Sequence, residues 1–207
     1  MNAKAEQKER SHETILESAA RLLRERGVAG ARVAEVMKGA GLTVGGFYAH
    51  FPSKEALIDE AFRRTGSALR ERLFARLDEK PAEDRAEVVL KRYLSAGHRD
   101  DFERGCPLPA VVGEIGTTAH EHAGVLAEQL GALASQLQDQ LPASRPVPPR
   151  YLALGLVALM YGGLSLSRAV RGTALSDEVL RACRALGIFA ARGATRTSVA
   201  ERHPERS

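Results

Sequence analysis

RVAEVMKGAGLTVGGFYAHFPSK, residues 32–54, is the stretch on which the reading of the whole chain turns. Val33, Val36, Met37 and Ala40 are spaced for one buried face of a short helix. Gly41 supplies the flexible residue of a tight turn, and Leu42 re-enters the core. Thr43 is placed to N-cap a second short helix carrying Phe47, Tyr48 and Phe51. Pro52 disfavours helix through Phe51, and Ser53 can cap a third helix that opens Lys54-Glu55-Ala56-Leu57. Helix, glycine-containing turn and helix make a helix-turn-helix.

Three helices in any small bundle would share this spacing, so the outward residues decide. Val44-Gly45-Gly46 leaves a bare face where a core helix would carry bulk. Each glycine costs roughly 1 kcal/mol of helix stability, so a pair of them points to close approach by a partner. Tyr48, His50 and Lys54 add a hydroxyl, an imidazole and an ammonium, all able to reach phosphate oxygens.

Residues 41–57, GLTVGGFYAHFPSKEAL, resemble the signature of the TetR/AcrR family of one-component transcriptional repressors, and the match extends back to near Thr14. The resemblance implies an all-α chain: an N-terminal three-helix DNA-binding domain, then a larger helical domain for ligand binding and dimerisation. It implies phosphate contacts from Tyr48, His50 and Lys54, with Thr43, Val44, Gly45 and Gly46 along the groove. Two positions depart from the family pattern. Ala31-Arg32 stands where the family usually has a capping Thr or Ser, so Arg32 is the expected phosphate contact there. Val44 stands where the family often has Lys.

The rest of the chain agrees with an all-α fold. Its 207 residues suffice for one large or two small domains, aromatics are 5%, there is no Trp, and Ala, Leu, Arg and Glu abound. A net charge of +4 with pI near 9.3 is compatible with nucleic acid but too mild to establish it. Residues 1–10, polar and of mixed sign, read as a disordered arm without the apolar core of a signal peptide. A first helix begins near Ser11, buries Ile15, Leu16, Ala19, Leu22 and Leu23, and stops at Gly27. This gives a DNA-binding domain over 11–52 and an effector-binding and dimerisation domain over 53–192, followed by a disordered tail at 193–207.

Within the second domain a long helix runs from Ser53 toward residues 78–81, joining the two modules without a flexible linker. Helices follow over 82–98, from Cys106 to Gly116, over 120–141, and then, past four prolines, over 151–167 and 177–192. The 151–167 helix has no charged residue yet is too short, and too rich in Gly and Ser, to span a membrane. It should be buried by a partner, and small residues there and in 177–192 suit a symmetric four-helix interface. Leu152, Leu156, Leu159, Gly163, Leu180, Cys183 and Ile188 are the expected interface. Phe62, Leu69, Tyr93, Phe102, Cys106, Leu108, Val112 and Leu126 are the expected lining of an effector pocket, each of them equally suited to plain core.

No GxSxG, P-loop, GxGxxG after a strand or HExxH occurs, so no catalytic residue and no cofactor is expected. His120 and His122 are two apart on a helix and cannot share a metal there. No metal site is therefore expected, a joint site with His98 and Cys106 being the lesser alternative. Two distant cysteines suit a reduced, cytoplasmic protein. Cys106, at an expected helix N-terminus, is a candidate reactive thiol. The reading is a homodimeric repressor that binds a pseudo-palindromic DNA operator and is released by a small-molecule effector, with no membrane partner. The alternatives are an all-α carrier or enzyme with an incidental helix-turn-helix, and an effector-independent activator.

Overall fold

The computed structural model describes residues 3–142 and 147–192, and these residues are entirely helical and irregular, with no strand. The expected tail at 193–207 lies outside them. The first helix, α1 (Ala3–Gly30), begins eight residues before Ser11, so the expected arm is helical from Ala3 onward. His12 explains part of this: its ring stacks on Phe51, with centroids 4.5 Å apart, and its Nε2 lies 2.8 Å from Glu60 Oε1. These contacts fix the α1 register from the far side of the domain.

Gly27 interrupts α1 at φ 69°, ψ −167°, a conformation open to glycine almost alone. One further turn then leads into α2 (Val33–Gly39). Arg32 occupies the N-cap without a side-chain bond, as the missing Thr or Ser foretold. Gly41, at φ 69°, makes the turn. The segment after Thr43 is not an α-helix: Val44–Ala49 is 3₁₀, and Thr43 gives no side-chain cap. Two adjacent glycines and a proline three residues beyond leave too little helix propensity for a full α-helical turn. Phe47 and Phe51 stack beneath it, both buried.

Ser53 caps α3 (Lys54–Phe74) as expected, its Oγ accepting from the Ala56 N–H at 3.1 Å. The carbonyls at the far end of α3 are satisfied by Arg92, which donates to Leu73 and Ala75 at 2.7 and 2.8 Å. Arg92 belongs to α4 (Ala82–Tyr93), which ends earlier than expected. Leu94 breaks it, and Ser95 caps a separate short helix, α5 (Ala96–Asp100). Then come α6 (Leu108–Ile115), a 3₁₀ turn at His120–His122, and α7 (Ala123–Gln138). α8 (Pro149–Ala169) and α9 (Ala174–Arg192) pack on each other, α8 also on α7 and α9 also on α4.

At 21 residues with mean hydropathy 1.4, α8 is long and apolar enough to cross a bilayer, so the length argument against a span does not hold. Its packing places it in the core instead: Ala153, Leu156, Val157, Met160 and Leu164 are buried. A single apolar core runs from the DNA-binding helices into the second domain. Ile15, Leu23, Met37, Phe47, Ile58 and Phe62 are continuous with Leu90, Tyr93, Leu137 and Met160. Each such side chain contributes about 1.5–3 kcal/mol on burial.

Candidate nucleic-acid interface and effector cavity

The helix-turn-helix presents one open face. Arg32, Thr43, Val44, Gly45 and Tyr48 are exposed on it, Tyr48 at 75%, while Gly46, His50 and Lys54 are half-buried at its edge. None of the residues expected at DNA is fully buried. No atom lies within 4 Å of a Cβ built at Gly45, and only Met37 Cε reaches one at Gly46, at 4.0 Å. The bare patch is therefore free space outside the core, suited to the close approach of a groove.

His50 is one of the half-buried three. Its Nδ1 is buried without a hydrogen-bond partner, and burial, with the nearby His12 and Lys8, holds its imidazole below the ordinary range. Lys8 lies on α1, within the residues 1–10 that the sequence suggests are a loose arm. Its one-turn spacing from Lys4 was the available signal.

The second domain docks on the first through α6, which packs along α1. Glu114 accepts a hydrogen bond from the Ala29 N–H at 2.8 Å, and its carboxylate fills the space beside Gly27 where a Cβ would sit. Buried His122 joins α3 to the start of α7, its Nδ1 lying 2.7 Å from Asp59 Oδ1. Neither contact has a signature in the local sequence.

Four residues expected in the effector pocket, Phe62, Leu69, Cys106 and Leu108, line one cavity with Leu130 and Leu133, between α3, α6 and α7. The other four do not. Tyr93 is buried beneath the edge of the His98 ring, and Phe102 lies under the guanidinium groups of Arg168 and Arg171. Val112 and Leu126 pack against the core elsewhere. The cavity is about 30 Å³, roughly one water's share of liquid. A ligand of any size must therefore part the surrounding helices.

Cys106 corrects the expectation of a reactive thiol. Its residue precedes Pro107, the N-cap of α6, and is 1% exposed. Burial pushes the thiol above its ordinary range, outweighing the Tyr93 hydroxyl, the Leu108 N–H and the distant arginines that favour thiolate. Nor is His98 free to bind metal with it. His98 Nδ1 lies 2.7 Å from the Tyr93 carbonyl, and the Cys106 N–H donates to its Nε2 at 3.1 Å. Only the neutral ring with its proton on Nδ1 satisfies both, and burial lowers its pKa to about 4. Among the described residues no three His, Cys, Asp or Glu side chains form a metal cluster.

The expected dimer residues are divided between the chain's own core and its edge. Leu156, Gly163 and Leu180 are buried inside the protomer, and Leu152, Leu159, Cys183 and Ile188 pack partly against its core. A Cβ at Gly163 would meet Cys183 Sγ and Leu94 Cδ2, both at 2.9 Å, so its smallness serves packing within one chain. The outward stripe consists of Tyr151, Leu154 and Leu166 on α8 with Leu175, Leu186 and Phe189 on α9, Phe189 being 67% exposed. Both helices are apolar on two sides, and periodicity could not say which side the chain itself covers.

An all-α chain with an N-terminal helix-turn-helix packed against a larger helical domain has the architecture of a DNA-binding transcriptional regulator. Residues 15–61 match the family described as bacterial regulatory proteins, tetR family. A TetR-family transcriptional regulator from Rhodococcus sp., called putative in its description, superposes with a TM-score of 0.72 at 20% identity over 86% of this chain and 96% of its own. The reduced form of NemR from E. coli gives 0.74 at 22% over 86% and 94%. The TetR-family regulator from Cytophaga hutchinsonii gives 0.70 at 23% over 87% and 94%. No curated protein matches. Residues 15–61 are similar to the TetR-family N-terminal domain, and the whole chain has the fold of these TetR-family structures.

Proposed function

We propose that the protein is a homodimeric repressor, held on a pseudo-palindromic operator and released when a small apolar molecule occupies the cavity between α3, α6 and α7. The observation that carries this reading is the continuity of α3. It begins at the DNA face with the Ser53 cap and Lys54, and one turn or more further on contributes Phe62 and Leu69 to the cavity wall. A ligand larger than a water must displace α3 or the helices facing it. Displacement of α3 would be passed to the Val44–Ala49 segment through residues 50–53, which join the two.

The exposed apolar stripe of α8 and α9 supports self-association, because an isolated protomer rarely leaves so much contiguous apolar surface in water. In such a dimer, two reading segments would face successive major grooves, with half-site centres about 34–36 Å apart or a multiple of that. The DNA-facing residues divide by role. Arg32, Tyr48, His50 and Lys54 position the protein on phosphates, while Thr43, Val44, Gly45 and Gly46 lie against base edges.

The test is a fluorescence-anisotropy titration of the full chain on DNA flanking its own gene, with sedimentation to fix the stoichiometry. A dimer bound specifically to one inverted repeat is the expected result. A clean monomer, or equal affinity for unrelated DNA at matched salt, would refute it.

A further inference from the structure

A second, larger hollow lies at the junction of the two domains, apart from the apolar cavity. It occupies about 220 Å³, room for roughly seven waters, between α1, α3 and the loop that leads from α5 to α6. Four arginines line it: Arg24 from α1, Arg64 and Arg72 from α3, and Arg104 from the loop. The one acid among its lining residues is Glu17.

These arginines are unequally satisfied. Arg64 pairs with Glu13 and, at 3.7 Å, with Glu17. Arg72 lies 3.5 Å from Asp101 Oδ2 and donates to the Arg104 carbonyl. Arg24 has no ion pair among the described residues, and its Nε is buried without a hydrogen-bond partner. Burial and the neighbouring Arg72 both disfavour its charge, against weaker help from Asp101 and Glu25. The Arg104 side chain makes no ion pair among the described residues either, although its backbone N–H donates to Asp101 at 2.7 Å. A hollow with a half-buried arginine whose Nε is buried and unpartnered, and with a surplus of positive charge, lacks the acceptor that such groups require.

We propose that this cleft is a binding site for a small multivalent anion bearing carboxylate or phosphate groups, which bridges Arg24 on α1 to Arg72 and Arg104 on the opposite wall. Planar guanidinium forks match both oxyanion types bidentately. The site joins the DNA-binding domain to the effector domain, so its occupancy is linked to operator affinity, and by reciprocity operator binding alters anion affinity. That regulatory half rests on the repressor reading above; the binding half does not.

Calorimetric titration of the full chain with citrate and, separately, with pyrophosphate tests it, with sodium sulfate at matched ionic strength as reference. One saturable site per protomer is expected for at least one of the two, and which of them binds assigns the carboxylate or the phosphate class. Arg24→Gln and Arg104→Gln, on different walls, should each weaken it on the order of tenfold or more. Arg76→Gln, paired with Glu79 on the surface, should leave it unchanged. Operator affinity measured with and without the bound anion should shift in wild type and not in Arg24→Gln. No saturable binding, binding that sulfate reproduces, or binding retained in both cleft variants overturns the site. Saturable binding with no shift in operator affinity overturns its regulatory role. Absence of operator binding before any anion is added fails the repressor reading instead, and leaves the calorimetry to decide the site.

Discussion

Replacing Gly27 by Ala should loosen the joint between the two domains. At φ 69°, ψ −167° the backbone sits where only glycine is comfortable, so the substitution costs about 1–3 kcal/mol in strain alone. The new Cβ would lie 2.0 Å from Glu114 Oε1 and 2.8 Å from the Ala110 carbonyl oxygen. The carboxylate can swing away, but it then gives up its bond to the Ala29 N–H, worth about 1 kcal/mol at this partly solvated site. The Ala110 carbonyl is backbone and must take α6 with it. A total of about 2–4 kcal/mol follows, which for a chain of this size is a fall in Tm of roughly 5–15 °C. Denaturant titration and thermal unfolding measure it, beside Glu114→Ala, expected to cost about 1 kcal/mol. In the double variant the side-chain collision is gone while the backbone strain persists, so Gly27→Ala should cost less there than in wild type. A Gly27→Ala protein within about 0.5 kcal/mol of wild type would refute the account of this joint.

Other outcomes follow from single contacts. His98 is held neutral with a pKa near 4 against an ordinary 6.5, so the unfolded chain binds its proton first and the stabilisation is complete above pH 6.5. As pH falls from 6.5 to 4, up to about 3 kcal/mol should be lost, and His98→Asn should flatten that limb of the stability–pH curve; an unchanged slope would count against the tautomer assigned. Lys54→Ala should weaken binding to all DNA alike and reduce the salt slope by about one, whereas Gly46→Leu should abolish operator binding with unfolding unchanged. Phe189→Glu, on the exposed face of α9, should yield monomers in sedimentation, while Leu180→Ala, inside the protomer, should cost about 2–5 kcal/mol of stability. Cys106 should resist thiol reagents in the native state and react on unfolding; modification of the folded protein at the rate of a free thiol would show that its burial is transient.

What the sequence determined alone was the part governed by neighbours along the chain. The apolar spacing of α2 and α3, the Ser53 cap, the turn at Gly41 and the exclusion of helix at Pro52 depend on residues within a turn or two of each other. The residues proposed to face DNA belong to the same short segment, where exposure follows the local helix and turn pattern. Tertiary structure decided what depended on who packs against whom. α8 and α9 carry apolar residues on two faces, and only their mutual packing consumed one of them and left Tyr151, Leu186 and Phe189 outside. α1 is tied to the rest of the domain by His12, which finds Phe51 and Glu60, 39 and 48 positions away. His98 and Cys106, which the sequence offers together only as a lesser metal-site alternative, meet instead as a neutral ring accepting a backbone N–H and a closed thiol. The arginine cleft has no motif at all, because its charges come from three separate segments and gather only when α6 seats on α1. Pairings of that kind are set by the free energy of burying one face against another, which depends on the whole chain and leaves no local period to read.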